Sequence, residues 1–302
     1  MVEFSKYIGL DLIALTGDIV DGNVKIESQE RDIYDIISLV KDAKSTSVLI
    51  SKGNHDDCSW YAYQNNLGIE AIITPELWYS YVVNPIRVQY PIILDEENIA
   101  GGYYYIDYPM QKIRVINLNT NDIPCIVNEK GTFDKECCGQ WRLGISEKQL
   151  LWLSKVLKLT EPGWAVMFMS HDFLVNAKDE NEQVKNGIQA WEIILGYKNG
   201  TNGIVKNSEK DFEANVEFDF RDNKSNDILP YLFGHVHKDT KKIQDGIVAV
   251  STKNINGDIG KPWYDDNVVV DGCWDCMIIN RKQRELQIKR FGIKNAERII
   301  RY

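Results

Sequence analysis

All four histidines of the sequence lie in short polar clusters that also contain Asp or Asn. Each cluster follows directly after an apolar run that is rich in β-branched residues. Imidazole nitrogens, carboxylates and an amide oxygen are ligands that suit borderline transition metals. Two such ions about 3.5–4 Å apart, bridged by a carboxylate, can activate water for attack on an ester. The clusters are GDIVD at 17–21, KGNHD at 52–56, SHD at 170–172 and GHVH at 234–237.

Each cluster taken alone has an ordinary structural explanation. Gly and Asp are common turn residues, so a GD pair after a strand is most often a turn. A His-x-His pair is most often a chance match or a surface pair. The Asn-His-Asp segment at 54–56 could form a turn closed by the Asn side chain, and His171 could be a core histidine held by one hydrogen bond. Together they are better explained by one shared site, because open α/β sheets gather ligands at the carboxyl ends of their strands.

The segments around these clusters predict an α/β fold. Apolar positions recur with helical spacing over 31–44, which predicts a helix with one apolar face. A second helix is predicted over 145–159, where Ser146 and Gln149 have the spacing of a capping box. Alternating residues from 273 to 302 predict paired edge strands. Buried strands are predicted at 12–16, 47–51, 113–118, 164–169, 231–234 and 247–251.

The bulk composition fits one large domain. The 302 residues are 44% hydrophobic, enough for a substantial core, and the net charge of −9 argues against non-specific binding to nucleic acid. We expect a single domain over 1–302 with insertions near 78–143 and 176–227 that shape the substrate mouth. The chain has no membrane-spanning run and no signal-peptide pattern at its start, so we expect a cytoplasmic protein with mostly reduced cysteines.

Two further features could form a second site. Cys137 and Cys138 are adjacent, and Cys273 and Cys276 form a CxxC, so a zinc site or redox pair would result if the segments met. Packing in the core is the commoner use of such cysteines. Residues 281–302 carry eight Lys or Arg against two Glu. A solvated sheet edge explains this better than a surface that attracts an anionic substrate.

In order and spacing, the clusters resemble the motifs of the calcineurin-like metallophosphoesterase superfamily. That family has DxH, GDxxD, GNH[DE], a lone His after a strand, and GHxH, and this sequence contains the last four. The resemblance covers nearly the whole chain and implies a four-layer α/β/β/α sandwich. It also implies hydrolysis of a phosphomonoester or phosphodiester, in which hydroxide held by two divalent ions (Mn, Fe or Zn) attacks phosphorus. The expected partner is a small phosphate ester, and nucleic acid is not favoured.

The resemblance assigns metal ligands residue by residue. Asp18 resembles the carboxylate that bridges the two ions. Asn54, His171 and His235 resemble the other ligands of one ion, and His237 resembles a ligand of the second. Glycines beside these ligands would let the backbone turn sharply and approach the phosphate.

The resemblance also assigns two catalytic residues. His55 resembles the histidine that contacts the phosphate and protonates the leaving oxygen, and Asp21 the carboxylate that orients it. Asp56 occupies the last position of the GNH[DE] motif and receives no catalytic role. Gly22 stands where protein Ser/Thr phosphatases have an arginine that grips the phosphate, which makes a phosphoprotein substrate less expected.

The DxH motif does not precede the other motifs. Only 17 residues come before Asp18 and they contain no histidine, so the fold is expected to lack its first strand. The second ion would then keep only Asp18 and His237 as ligands, and we expect an N-terminally truncated chain. Two alternatives stay open: a nuclease of the same superfamily, which would need a basic track, and a metal-binding module without catalysis.

Overall fold

The computed structural model of the chain describes residues 1–43, 46–175, 184–223, 226–253, 263–265, 268–270, 272–292 and 297–302. Short 3-10 segments cover Ile69–Ala71 and Lys135–Cys137, and a π-helical segment covers Tyr79–Val83. The α-helices of the described ranges are α1 (Val2–Ser5), α2 (Ile26–Val40), α3 (Ser59–Gln64), α4 (Pro75–Trp78), α5 (Asn84–Gln89), α6 (Glu147–Lys158) and α7 (Gly187–Asn199).

The strands of the described ranges include all the predicted buried strands, which appear as β1, β2, β5, β6, β10 and β12. They are β1 (Leu12–Leu15), β2 (Ser47–Ile50), β3 (Ile93–Leu94), β4 (Tyr104–Tyr108), β5 (Ile113–Asn117), β6 (Ala165–Ser170), β7 (Asn202–Asn207), β8 (Ala214–Asp219), β9 (Asp227–Ile228), β10 (Tyr231–Phe233), β11 (Thr240–Gln244), β12 (Ile247–Ser251), β13 (Trp263–Asp265), β14 (Val268–Val270), β15 (Cys273–Asn280), β16 (Glu285–Gly292) and β17 (Glu297–Arg301).

Both predicted helices are confirmed as α2 and α6. The Ser146 hydroxyl caps α6 by accepting the backbone N–H of Gln149 at 3.2 Å. The Gln149 side chain does not complete a capping box. It bonds both backbone groups of Asn119, each at 2.9 Å, and so ties α6 to the loop after β5.

The strands form one large sheet and several small ones. The large sheet has eight strands in the order β11-β12-β10-β6-β5-β4-β3, with β9 beside β6. Its strands β5, β6, β10 and β12 run parallel, so their carboxyl ends meet at one edge. β1 and β2 form a separate parallel pair, and β15, β16 and β17 form an antiparallel sheet, as the alternation in the sequence predicted. β7 pairs with β8, and β13 pairs with β14.

The central sheet is buried on both faces, as alternate residues of β6 show. Met167 and Met169 belong to the core shared with the small sheets, whereas Val166 and Phe168 belong to the core beneath α6 and α7. A strand that is buried on both faces has a continuous run of apolar residues in the sequence, which is why β6 could be predicted. The first core also takes in α2, β2, β16 and β17, and the second takes in α6, α7, β7 and β8. The predicted α/β/β/α sandwich is therefore confirmed.

Part of the range 78–143, predicted as an insertion, belongs to the central sheet, because β3, β4 and β5 lie within it. A later part of this range, the 121–143 segment, packs on α3 through a small separate core. That core contains Phe133 and Cys138 together with Ala62 and Ile72. In the range 176–227, α7 and the β7–β8 hairpin cover the outer face of the central sheet.

Several basic residues after position 280 form ion pairs. Arg290 contacts Asp239 and Asp275, in each case at 2.8 Å, and Arg298 contacts the same two carboxylates. Asp239 lies in the loop after β10, so these pairs fix that loop to the C-terminal sheet. Arg281 and Arg284 both pair with Asp227. These pairs fit the structural interpretation of the basic segment.

The described helices are all too short or too polar to pass through a bilayer. In the same part of the chain, the one group of His, Cys, Asp or Glu side chains placed to hold an ion contains no cysteine. Cys138 is buried and hydrogen-bonds the carbonyl of Ser59, and Cys273 is buried in β15. A zinc site shared by these cysteines is therefore not found among the described side chains, which do not include that of Cys137.

Candidate metal centre and active site

Asp56 joins the first two loops of the site. Its side chain is fully buried. The carboxylate accepts backbone N–H groups of Asp18, Ile19 and Val20, at 3.1, 2.9 and 3.3 Å, from the loop after β1. It also accepts the N–H of Gly53 at 2.7 Å, from the loop after β2. Burial, followed by the charge of Asp18, raises the pKa of Asp56. The last residue of the GNHD cluster therefore has a structural role.

The loops approach so closely that a side chain would not fit at two positions. A Cβ on Gly53 would lie 2.2 Å from Asp18 Oδ1, and a Cβ on Gly17 would lie 2.5 Å from His171 Nδ1. Contact between the loops therefore requires glycine at both positions, while the predicted approach to a phosphate stays a prediction. Asp18 and His235 themselves have left-handed φ angles of 52° and 61°, which are uncommon for such residues and concentrate at functional sites.

Ligand atoms from all four clusters meet at one point. His171 Nε2 lies 3.1 Å from Asp18 Oδ2 and 3.0 Å from Asn54 Oδ1. His235 Nδ1 lies 3.2 Å from Asn54 Oδ1 and 3.3 Å from His171 Nε2. The ligand atoms of Asp18, His171 and His235 all lie within 4.8 Å of one another. The structure thus brings together the residues predicted to bind one ion.

Backbone carbonyls fix the orientation of two of these ligands. His171 Nδ1 lies 2.7 Å from the carbonyl oxygen of Thr16, so this nitrogen carries the proton and Nε2 faces the cluster. The amide nitrogen of Asn54 donates to the carbonyl of Gln140 at 3.1 Å, which turns Asn54 Oδ1 towards the cluster. Neither contact was predictable from the sequence, because any residue can supply a carbonyl.

A carboxylate lies beside the third candidate ligand, His235, on the side of the ring that faces away from the cluster. His235 Nε2 lies 3.6 Å from Asp172 Oδ1, while its Nδ1 faces the cluster. Asp172 is buried and is itself held by Thr120, whose hydroxyl accepts the Asp172 N–H at 3.2 Å. A carboxylate behind a ligating histidine is a common supporting arrangement in metal sites. Asp172 belongs to the SHD cluster, but sequence reasoning assigned it no role.

The cluster requires positive charge. Burial alone would lower the pKa of His171, but the hydrogen bond to Asp18 and the charges of Asp172 and Asp18 raise it to about 9. Burial would likewise raise the pKa of Asp18, but the hydrogen bond and charge of His171 lower it. A proton on His171 or a cation would satisfy the oxygen and nitrogen acceptors that converge there. The donor set of carboxylate, amide oxygen and two imidazoles fits a divalent transition metal.

His237 lies outside this convergent group. Its side chain is exposed and its φ is 52°. Partial burial of the ring lowers the pKa of His237, and the charge of Asp18 opposes this shift. Among the described residues, the group of ligand atoms within 4.8 Å does not include His237. Of the two ligands predicted for a second ion, Asp18 belongs to this group and His237 does not.

His55 lies at the rim of the cluster. Its backbone N–H donates to Asp18 Oδ1 at 3.0 Å, and its ring Nδ1 lies 2.5 Å from the backbone carbonyl oxygen of Asp21. The resemblance implied that the Asp21 carboxylate orients this ring, whereas the atom in contact is the carbonyl. Because Nδ1 donates to a carbonyl, Nε2 is the nitrogen left to face a substrate. The Trp60 ring packs against the His55 ring in a T-shaped arrangement, with the ring centroids 5.5 Å apart.

Gln29 on α2 holds the backbone of the His55 loop. This residue is fully buried, and its amide nitrogen donates to the carbonyl of His55 at 2.9 Å. Its amide oxygen accepts the N–H of Gly22 at 3.0 Å. The helix was predicted to begin after this position, so sequence reasoning missed the contact.

The sequence matches the family profile described as calcineurin-like phosphoesterase over residues 3–239. No curated protein is detectably similar to the chain in sequence. A solved structure of phosphopantetheinyl hydrolase from Mycobacterium tuberculosis is similar at 11% identity and a TM-score of 0.34, covering 80% of this chain and 79% of that one. GAP50, the anchor in the inner membrane complex of Plasmodium, is similar at 8% identity and a TM-score of 0.38, covering 96% and 89%. These values are too low to transfer substrates or residue roles.

Proposed function

Because the chain belongs to the calcineurin-like phosphoesterase family, a family of metal-dependent hydrolases, we propose that it hydrolyses a small phosphomonoester or phosphodiester. The observation that carries this proposal is the convergence of ligand atoms from Asp18, Asn54, His171 and His235. These residues would hold one divalent ion, and Asp18 with His237 would contribute to a second. Bound Mn, Fe or Zn supplies Lewis-acid polarisation of the phosphate and a nucleophile at neutral pH.

The protein side of the reaction centres on His55. Its Nδ1 donates to the Asp21 carbonyl, which fixes the ring and leaves Nε2 to carry a proton to the leaving oxygen. An imidazole suits this role because its unperturbed pKa lies near neutrality. Gly22 offers no side chain to grip a phosphate, so recognition falls to the metal site and His55.

A metal-binding module without turnover is the second candidate. The exposed position of His237, outside the convergent group, favours it, because hydrolysis in this family is expected to use two ions. A nuclease is less favoured, because Arg281, Arg284 and Arg290 in the basic C-terminal segment are engaged in ion pairs.

The test is an assay of the protein reconstituted separately with Mn, Fe and Zn. We expect turnover of p-nitrophenyl phosphate or its bis-ester, and metal analysis should give the number of ions per chain. Cleavage of single-stranded DNA alone would identify a nuclease. Folded protein that binds metal and turns over none of the substrates would favour the module. The cytoplasmic location stays a prediction.

A further inference from the structure

Gln140 occupies a fixed position beside the site. It lies in the 121–143 segment, and its backbone N–H donates to the hydroxyl of Ser59 at 2.9 Å, at the start of α3. The next residue, Trp141, packs edge-on against Tyr63 of the same helix at 5.2 Å. The segment around Gln140 is thus attached to the helix that follows the KGNHD cluster.

Two different atoms of Gln140 contact two different residues of the site. Its backbone carbonyl accepts the side-chain amide of Asn54 at 3.1 Å. Its side-chain nitrogen Nε2 lies 3.5 Å from Nε2 of His55, at the outer limit of a hydrogen bond. The same residue therefore contacts a candidate metal ligand through its main chain and the candidate general acid through its side chain.

Packing alone does not explain this side chain. The Oε1 atom of Gln140 is buried and has no hydrogen-bond partner within the described part of the chain. A buried acceptor without a partner destabilises a folded protein, and an apolar residue would avoid that penalty. The amide is therefore better explained by what it does at the His55 ring than by a contribution to folding.

We propose that Gln140 is a positioning residue of the phosphoesterase reaction. A half-turn of its side-chain amide places the unpartnered Oε1 beside Nε2 of His55, where it accepts the proton that this nitrogen delivers, while the Asp21 carbonyl accepts the Nδ1 proton. The contact of 3.5 Å is long enough for a leaving-group oxygen to displace it. Gln140 thus sets the plane of the ring without blocking proton delivery. This inference rests on the proposed function.

The role predicts an effect that depends on the leaving group. A p-nitrophenolate ion leaves without being protonated, whereas a phenolate ion leaves faster when an acid protonates it. Gln140→Met has a side chain of similar length but no amide. It should lower kcat for phenyl phosphate about tenfold more than kcat for p-nitrophenyl phosphate. Metal content should stay unchanged, because the residue at 140 still supplies its carbonyl to Asn54.

The matched control is Asn128→Ala in the same segment. The Asn128 side chain bonds Thr132 and Asp134 within that segment, away from His55. This variant should leave the ratio of the two kcat values at the wild-type level. An equal fall on both substrates in Gln140→Met would overturn the positioning role. If the wild-type protein hydrolyses neither of these monoesters nor the bis-ester of p-nitrophenol, the proposed function fails.

A second measurement tests the contact without turnover. Nitrogen NMR of the imidazoles in the zinc-loaded protein is tractable because the chain has four histidines. Loss of one signal set in His55→Gln assigns His55. Gln140→Met should shift the His55 Nε2 resonance and leave those of His171 and His235 in place. An unchanged His55 resonance would overturn the inference whether or not the protein turns over substrate.

Discussion

Two sides of the candidate centre are built differently. On one side, Asp18, Asn54, His171 and His235 already have their ligand atoms in contact, and each of the last three is oriented by a further group. On the other side, His237 is exposed and lies outside the convergent group. An ion on the first side would be coordinated by ligand atoms that are already together. An ion on the second side would find its proposed ligands not yet together.

This difference predicts unequal affinity. Ligands held by supporting hydrogen bonds lose little freedom when an ion binds, so the first side should bind metal more tightly. We expect titration of metal-free protein to show one tight ion per chain, with any second ion binding more weakly. The variants below test this comparison, from the largest expected effect to the smallest.

Asp18→Asn should have the largest effect, because Asp18 is the residue proposed to contribute a ligand to both sides of the centre. The amide keeps the shape of the side chain but removes the negative charge that the cation needs. We expect loss of bound metal and a fall in turnover of more than about 10³-fold. Metal analysis and an ester assay on the same preparation check this. Full metal content in the variant would show that Asp18 is not a ligand.

His55→Ala should reduce turnover while leaving the metal in place. General acid catalysis contributes about 10²–10⁴-fold, and the backbone N–H that contacts Asp18 survives the substitution. Metal analysis of this variant in parallel with Asp18→Asn distinguishes loss of catalysis from loss of metal binding. Equal metal loss in both variants would contradict the separate roles given to these residues.

Asp172→Asn and His237→Ala compare the two sides directly. Asp172 supports His235, and loss of such a partner lowers metal affinity by about 10–100-fold. His237→Ala should leave the tight ion nearly unaffected, because His237 lies outside the convergent group. Calorimetric titration with zinc measures the dissociation constant of the tight ion in each variant. A larger loss of zinc affinity in His237→Ala than in Asp172→Asn would show that the tight ion binds on the His237 side.

The smallest effect concerns the loop that carries His237. Burial opposes the charged form of Asp239, but its hydrogen bond from Arg290 and the charges of Arg298 and Arg290 lower its pKa. The stability from this pair is therefore full above the unfolded-state pKa of about 4 and is lost as pH falls through the lower folded-state value. The difference in free energy of unfolding between wild type and Asp239→Asn should shrink on acidification. A constant difference in urea unfolding from about pH 6 to pH 3 would contradict this.

Side-chain chemistry was largely readable from the sequence. The candidate ligand residues were predicted because each follows an apolar run, and burial on both faces makes such runs continuous. Contacts made through main-chain atoms were not readable. The Thr16 carbonyl behind His171, the Gln140 carbonyl behind Asn54 and the Asp21 carbonyl at His55 leave no residue signature.

The fold was predictable to a similar degree. Helices α2 and α6 followed from helical spacing, the sheet of β15, β16 and β17 from alternation, and six buried strands, β5 among them, from apolar runs. Strands β3 and β4 were not predicted, because β3 is two residues long and β4 carries tyrosines and a charged residue, so neither forms an apolar run. The structural role of Asp56 was also out of reach, since a fully buried carboxylate that accepts amide protons looks the same in sequence as a catalytic one.

The buried carboxylate of Asp56 bonds the backbone of Asp18 across only 38 positions of the chain. His235 reaches Asn54 across 181 positions. Ribosomes release the N-terminal part of a protein first. A growing polypeptide can thus have its first two loops joined while His171 and His235 are still unsynthesised, so the group of ligand atoms becomes complete only after position 235 has been translated.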